Sequence, residues 1–145
     1  MPDSDLENYP RPGVTVDLAI LVLRGAATPA PELCVLIQGR TNPDGRALPG
    51  GFMRERATVA ETVDDVFVRK LGVTRGRKTQ PRLLKLFDDP NRDDRTWAIS
   101  AAHSVSMWET DLGSARRDLV PVDADGRLAG EGPLLFDHDE IVAAA

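Results

Sequence analysis

Residues 58–71 carry a complete helix signal, and this signal constrains the fold more than any other part of the sequence. Thr58 followed by Glu61 forms a capping box, in which each side chain satisfies a backbone N–H near the helix start. Gly72 supplies a C-terminal stop. Between these ends the apolar residues recur at helical spacing and form one stripe: Val59, Val63, Val66, Phe67 and Leu71. The sequence therefore predicts an amphipathic helix over residues 58–71.

Other segments have the apolar and β-branched composition of strands: 14–23, 33–37, 82–87 and 96–107. The first of them alternates poorly, which is typical of a strand covered on both faces of its sheet. The Asn-Pro-Asp-Gly sequence at 42–45 predicts a hairpin-like connection after the second strand. The acidic run 88–94 predicts the turn between the last two strands. Strands that flank a central helix indicate a mixed α/β domain.

The two ends of the chain carry weaker patterns. Residues 1–12 are rich in Pro and in acidic side chains, and we expect an irregular lead-in before a single domain at 13–145. Residues 109–133 show little periodicity and are predicted to be mostly irregular, with one short strand at 118–122. Asp137 is expected to cap a final helix, since an acid follows in the first turn.

Charge and cysteine content exclude several classes of protein. The chain has 18 Lys and Arg against 23 Asp and Glu, so we expect no direct nucleic-acid binding, which needs a basic excess or a basic patch. A single cysteine, Cys34, excludes an internal disulfide framework and fits a reducing compartment. The apolar run 18–23 is far shorter than a membrane helix. These features predict a soluble, cytoplasmic protein without a membrane segment.

The segment 47–73 is the most informative for function. Its Leu-Pro-Gly-Gly turn leads through a short loop into the capped helix. Adjacent glycines, here Gly50 and Gly51, let the backbone approach a ligand closely, and a loop that feeds a helix is a common phosphate or metal site. Adjacent glycines also occur as plain turn geometry, so this pattern alone leaves both interpretations open.

This segment resembles the signature box of the Nudix hydrolases. That box begins with a glycine, continues through a glutamate to an arginine-glutamate pair and two adjacent glutamates, and ends with a glycine and an apolar residue. With Gly51 at its start, Phe67 falls on the internal apolar position, and Gly72 and Val73 fall on the final pair without a gap. The flanking segments YPRPGVTVDLAILVL, FDDPNRDDRTWAISAAH and LLFDHDEI are similar to the branch that includes ADP-ribose pyrophosphatases and Nudix-related transcriptional regulators. The resemblance implies a Nudix α/β/α sandwich, with a mixed β-sheet between the box helix and a C-terminal helix.

The chain departs from the box at its charged positions. Ala57 stands where the first glutamate belongs, Asp65 replaces the arginine, and Val66 replaces the next glutamate. Arg69 and Lys70 occupy the positions of the paired glutamates. In active members these glutamates resemble a hard-cation site that holds Mg²⁺ against a diphosphate. A valine cannot ligate Mg²⁺ and two cations repel it, so we expect metal-dependent hydrolysis to be absent or impaired, and we predict no cofactor.

Other acids offer an alternative catalytic site. Glu61, Asp64 and Asp65 share one helix face, and Glu55 on the preceding loop could assist them. Under this hypothesis the chain is an active pyrophosphohydrolase that uses Mg²⁺. The alternative, which the pattern favours, is that these acids form a solvated face near a helix start. Asp65 lies closest to the cleft that the resemblance implies, and it is the first acid to test.

Arg69 and Lys70 suggest a receptor. They would occupy the volume that the cations fill in active relatives and bind the diphosphate of a ligand directly. The alternative is that both are surface cations that complement the helix dipole. The preferred hypothesis is a degenerate Nudix domain that binds an ADP-ribose-like nucleoside diphosphate derivative, as a sensor or interaction module. A third hypothesis is a non-catalytic structural dimer.

The resemblance and local chemistry suggest further ligand contacts. Arg40 ends the second strand segment, where the branch directs a basic residue toward the ligand, and a solvated arginine is the alternative. Phe52 or Trp97 could stack on a base or belong to the core. Arg95 adjoins the middle hairpin, and His103 is a further candidate or a satisfied core histidine. His138, beside two acids, is interpreted as helix-start chemistry.

The resemblance also raises expectations about partners. Relatives form dimers, and we expect a homodimer. The regulators of this branch append a winged helix, for which a chain ending at Ala145 leaves no room. The sequence therefore predicts signalling through a separate protein partner, or a DNA-binding part that has been lost or removed.

Overall fold

The computed structural model describes residues 3–76, 79–130 and 132–145. Its main element is a mixed sheet around one long central strand, which pairs in parallel with one neighbour and antiparallel with two others. The strands in chain order are β1 (Gly13–Arg24), β2 (Glu32–Leu36), β3 (Gln38–Arg40), β4 (Gly45–Ala47), β5 (Gly50–Phe52), β6 (Arg82–Phe87), β7 (Ala98–Met107) and β8 (Leu119–Pro121).

Strand β1 lies at the centre of the sheet because its side chains are apolar on both faces. The sheet order is β6-β7-β1-β2-β8, and β5 pairs with the first part of β1 on the side of β2. Strands β3 and β4 form a separate hairpin around the turn at 42–45. The strands and the hairpin predicted from the sequence are confirmed.

One face of the sheet is covered by the predicted helix. Helix α1 (Val59–Val66) continues as one π-helical segment (Phe67–Leu71), and Gly72 ends it in the left-handed conformation with φ 71°. The capping box is confirmed, because the backbone N–H of Glu61 donates to Thr58 Oγ1 at 3.0 Å and the N–H of Thr58 donates to Glu61 Oε1 at 3.4 Å. Four residues of the predicted stripe, Val63, Val66, Phe67 and Leu71, pack on β1, β2 and β7, whereas Val59 at the helix start is exposed.

The other face is covered by helix α2 (His138–Ala144). Ile141 and Val142 of this helix pack with Leu134, Ala19 and Val35 in a second core cluster. The sheet thus lies between α1 and α2, which confirms the predicted α/β sandwich with a mixed sheet. Within the described residues, no helix combines the length and apolar character that a membrane crossing requires.

The structure differs from the sequence predictions in two segments expected to be irregular. Asp3–Asn8 forms a 3-10 helix within the lead-in 1–12, of which residues 1 and 2 lie outside the described residues. A second 3-10 stretch, Glu109–Asp118, is interrupted at Gly113, whose φ is 57°. A 3-10 helix has three residues per turn and runs for only a few residues, so it carries no extended apolar period and a periodicity argument does not detect it, although Leu112 and Ala115 of the second stretch are buried.

Two predictions for the start of α2 are wrong. The Asp137 side chain does not cap the helix, because its carboxylate accepts two hydrogen bonds from the buried Arg92. His138 was interpreted as helix-start chemistry, yet its ring is buried against β1. At both residues, contacts with distant parts of the chain take the place of local capping.

Candidate functional site

A cleft of about 430 Å³ opens between the end of α1, strand β5 and the segment before α2. Its wall is rich in positive charge: six basic side chains line it against three carboxylates. The basic residues are Arg40, Arg54, Arg69, Lys70, Arg92 and Arg95, and the acids are Asp17, Asp65 and Asp93. A cleft of this size and charge suits a small anionic molecule.

The helix wall of the cleft consists of Arg54, Asp65, Arg69 and Lys70. Arg69 Nη1 donates to Asp65 Oδ2 at 3.1 Å, one turn earlier, and both side chains remain accessible. Arg54 and Lys70 are exposed, and the described residues provide neither of them with a carboxylate partner. The helix wall therefore carries a surplus of positive charge.

The π-helical segment contributes to the position of the helix wall. A π-helix is wider than an α-helix and occurs often at functional sites. Here it contains Arg69 and Lys70, and the carbonyl of Lys70 accepts a hydrogen bond from Gln38 Nε2 at 2.7 Å. This bond ties the end of the helix to β3 on another side of the cleft.

Gly50 lets strand β5 lie directly against β1. A Cβ at this position would collide with Asp17 Oδ1 and would lie 3.0 Å from the carbonyl oxygen of Val16. Neither atom can move away, because both belong to the central strand or to its buried network. A Cβ at Gly51 would lie 3.4 Å from Val66 Cγ2, an ordinary contact distance, and Phe52 is exposed at the rim.

The floor of the cleft is a buried polar network centred on Asp17. Asp17 Oδ2 accepts hydrogen bonds from Ser100 Oγ at 2.6 Å and from Thr15 Oγ1 at 3.2 Å, and it lies 3.6 Å from Arg92 Nη2. His138 Nε2 lies 3.4 Å from Asp17 Oδ1. The carboxylate of Asp17 is thus surrounded by donors from three different parts of the chain.

The network keeps Asp17 ionised. Burial raises the pKa of the Asp17 carboxyl, but the interaction with His138, the hydrogen bond from Ser100 and the charge of Arg92 outweigh it, and the net pKa is lowered. His138 Nδ1 accepts a hydrogen bond from the backbone N–H of Leu48 at 3.0 Å. A nitrogen that accepts carries no proton, so the ring N–H is on Nε2, which faces Asp17.

Arg92 joins the floor to the start of α2. Its guanidinium donates to both oxygens of Asp137, at 2.9 and 2.7 Å, and its side chain is only 3% exposed. Burial opposes its charge, but the hydrogen bonds to Asp137 and the charges of Asp137 and Asp17 raise the pKa of Arg92 overall. Arg92 therefore stays charged and forms ion pairs with two carboxylates, those of Asp137 and Asp17.

The loop wall of the cleft consists of Arg40, Asp93, Arg95 and Phe136. Arg95 forms a two-point pair with Asp93, with nitrogen–oxygen distances of 3.0 and 2.8 Å, which lowers the pKa of Asp93. The guanidinium carbons of Arg40 and Arg95 lie 5.4 and 5.0 Å from the centre of the Phe136 ring. Phe136 adopts φ 58°, a left-handed conformation that is strained for a phenylalanine.

The structure brings most of the predicted ligand contacts together. The cleft is lined by these predicted residues: Arg40, Gly50, Gly51, Phe52, Asp65, Arg69, Lys70 and Arg95. Trp97 and His103 do not line it. Trp97 is 46% exposed outside the cleft, and His103 is buried in β7 with Nδ1 2.8 Å from the carbonyl oxygen of Ala101.

The alternative acids gather only in part: Glu61 and Asp65 line a smaller pocket of about 180 Å³ beside the cleft, but Glu55 and Asp64 do not line it. Glu61 is engaged in the capping box, and Asp64 Oδ1 accepts from Arg75 Nε at 2.8 Å. Glu55 is exposed on the loop and does not line the cleft. Of the four candidates, only Asp65 lines the cleft, where it is paired with Arg69.

Sequence reasoning missed the floor of the cleft. The residues concerned are Asp17, Arg92, Asp93, Asp137 and His138. One signal was available: Asp17 is the only charged residue in the apolar strand segment 14–23, and a buried carboxylate needs partners. The other residues looked like an acidic turn and a helix start, and nothing local identifies their shared partner.

The residues of the cleft do not fit a Mg²⁺ ion. A hard cation needs several oxygen ligands, whereas the box positions present Arg69 and Lys70, and Val66 is buried in the core. Asp65 is already paired with a guanidinium. Across the described ranges, no group of three or more His, Cys, Asp or Glu side chains is placed to hold a metal ion.

Comparison with known proteins identifies solved structures that share this fold. No protein-family model and no curated protein matches the chain. Solved structures do match: a MutT/nudix family protein from Listeria innocua has a TM-score of 0.75 at 24% identity, over 93% of this chain and 92% of that one. A MutT/nudix family protein from Enterococcus faecalis has a TM-score of 0.76 at 23% identity, over 100% of this chain and 62% of its own length.

A third match comes from a protein solved with a ligand. The NUDIX domain of Shewanella oneidensis NrtR, crystallised with ADP ribose, has a TM-score of 0.68 at 20% identity, over 99% of this chain and 96% of that domain. These identities are low, and what the matches share with this chain is the arrangement of helices and strands described above. The chain has the fold of the Nudix/MutT proteins.

Proposed function

We propose that the cleft binds a nucleoside diphosphate derivative, with ADP-ribose as the first candidate, and that the protein acts as a sensor or interaction module with little or no metal-dependent hydrolysis. The observation that carries this proposal is the helix wall. Arg69 and Lys70 line the cleft beside Arg54, at the positions where the Nudix box has its paired glutamates. Their charges can neutralise a diphosphate directly, as charge-assisted donors.

Three further observations support the proposal. The cleft volume of about 430 Å³ lies in the range typical of small-molecule sites. Asp17 and Asp93 are paired with arginines, so the unpaired charge that remains in the wall is positive. The NrtR domain of the same fold was crystallised with ADP ribose, which makes this ligand the first to test.

The alternative enzyme hypothesis receives less support. Glu61, Asp64 and Asp65 share a helix face, but each is engaged by a different partner. A relocated metal site would have to break two ion pairs and a helix cap before it could bind. The dimer, the separate protein partner and the cytoplasmic location stay predictions.

ADP-ribose should stabilise the protein when EDTA has removed divalent metal. Binding to the folded state alone, at a ligand concentration of about 100 times Kd, adds about 2.7 kcal/mol. For a domain of this size each kcal/mol raises the melting temperature by about 2–4 °C, so the shift should reach several degrees. Differential scanning fluorimetry measures it, and ribose serves as the control without a diphosphate.

Each competing hypothesis predicts a different result in this experiment. A shift that appears only with Mg²⁺ or Mn²⁺, together with release of AMP, supports the enzyme and contradicts the receptor. If no nucleotide changes the melting temperature, with or without metal, the result contradicts both ligand-binding hypotheses and supports the non-catalytic structural dimer.

Asp65→Asn separates the receptor from the enzyme by the sign of its effect. In the receptor, neutralising Asp65 frees Arg69 and removes a negative charge beside the diphosphate. We expect the affinity for ADP-ribose to rise a fewfold, measured by isothermal titration calorimetry in EDTA. In the enzyme the same substitution removes the acid nearest the cleft, and metal-dependent release of AMP should fall instead.

A further inference from the structure

Arg40 is held in the cleft with a donor that has no acceptor. Its Nε is buried, and none of the described residues supplies a hydrogen-bond partner for it. Its Nη2 donates to the carbonyl of Asn42 at 3.5 Å, the long limit of a hydrogen bond. A buried, unsatisfied guanidinium donor is unfavourable, and the Arg40 side chain that carries it lines a cavity open to solutes. Arg40 therefore needs an acceptor that the described residues do not provide.

Phe136 orients Arg40 together with Arg95. The guanidinium carbons of Arg40 and Arg95 lie 5.4 and 5.0 Å from the centre of the Phe136 ring. The centre of the His138 ring lies 5.3 Å from the same point. The pair with Asp93 uses Nε and Nη2 of Arg95, and among the described residues no acceptor pairs with Nη1. Two oriented guanidinium groups on one aromatic ring match the chemistry of an oxyanion better than that of an uncharged group.

This cluster is separate in the fold from the helix wall. Arg40 belongs to β3, Arg95 to the loop between β6 and β7, and Phe136 to the segment before α2. The cations proposed to bind the diphosphate belong to the π-helical segment that continues α1 and to the loop before α1. One cleft thus has two groups of basic side chains, more than a single diphosphate group requires.

We propose that Arg40, Phe136 and Arg95 form a second anion subsite, which binds a phosphate or carboxylate group that the ligand carries in addition to its diphosphate. This inference rests on the proposed function. It assigns the ligand to a narrower class, the nucleoside diphosphate derivatives with an additional negatively charged group.

The experiment compares matched ligand pairs that differ by one anionic group. ADP-ribose is compared with its 2′-phosphate, and UDP-glucose with UDP-glucuronate, by isothermal titration calorimetry of the full chain in EDTA. The affinity ratio within a pair is the readout. We expect a ratio of roughly ten or more in at least one pair, since a hydrogen bond to a charged group contributes that much. The responding pair tells a phosphate from a carboxylate.

Two substitutions test whether the affinity ratio within a ligand pair arises from the second anion subsite. Arg40→Gln should bring the ratio close to one, whereas the matched control Arg116→Gln, an exposed arginine outside the cleft, should leave it unchanged. If the parent ligands bind but neither pair shows a gain, or if the gain survives in Arg40→Gln, the second subsite is wrong and the proposed function stands. If no parent ligand binds, the proposed function fails, and the subsite fails with it.

Discussion

Replacing Arg92 by methionine is expected to lower the free energy of unfolding by about 3–5 kcal/mol, the usual effect of removing one partner from a buried ion pair. Arg92 donates two hydrogen bonds to the carboxylate of Asp137, and its Nη2 lies 3.6 Å from Asp17 Oδ2. All three side chains are largely buried. Without the guanidinium, two carboxylates remain in the interior with less compensation. Urea denaturation followed by circular dichroism measures the loss. A domain with a stability of about 5–15 kcal/mol would be visibly weakened.

A surface pair provides the matched control for this prediction. Arg24 Nη2 lies 3.0 Å from Glu32 Oε1, but the two side chains are 37% and 54% exposed. Arg24→Met should therefore lower the free energy of unfolding by no more than about 1 kcal/mol. Adding Asp17→Asn and Asp137→Asn to Arg92→Met should recover part of the loss, because the uncompensated charges are gone. Equal effects of Arg92→Met and Arg24→Met would show that the buried network does not stabilise the fold.

The sequence predicts the fold well because the signals for it are local. The cap at Thr58, the stop at Gly72 and the apolar strand composition are each visible within a few residues, and the structure confirms them. The helix wall could be placed as well, since the resemblance to the Nudix box, aligned from Gly51 to Gly72, implies that Arg69 and Lys70 face a cleft, and both line it. Predictions of helices, strands and the helix wall depend on local periodicity and on the spacing of the box, so they do not require contacts between residues far apart in the sequence.

The floor of the cleft could not be predicted for the opposite reason. Arg92 and Asp137 are 45 positions apart, and Ser100 and Asp17 are 83 apart. Arg92 lies in a run that looks like an acidic turn, and Asp137 looks like a helix cap. Both local interpretations are reasonable, and a charge pair that forms only after the sheet is assembled overrides them. Buried charge pairs of this kind are set by tertiary structure.

The double substitution Arg69→Gln with Lys70→Gln should weaken ADP-ribose binding in EDTA roughly a hundredfold or more. Each charge-assisted hydrogen bond to phosphate contributes about 1.5–3 kcal/mol, and two such groups are removed. The loss also leaves the carboxylate of Asp65 unpaired beside the diphosphate, since Arg69 is its partner at 3.1 Å. Adding Asp65→Asn to the double variant should therefore recover part of the affinity. Isothermal titration calorimetry measures both steps.

Two neighbouring arginines outside the cleft separate a local effect from one of net charge. Arg116 and Arg117 are exposed in the 3-10 segment after β7 and do not line the cleft. Replacing both by glutamine removes the same charge from the protein and should change the affinity for ADP-ribose less than about twofold, because neither side chain lines the cleft and salt screens exposed charges. If the Arg69 and Lys70 variant binds as tightly as this control, the helix wall does not hold the diphosphate. The two cations would then serve only to complement the helix dipole, and the receptor hypothesis would lose the observation on which it rests.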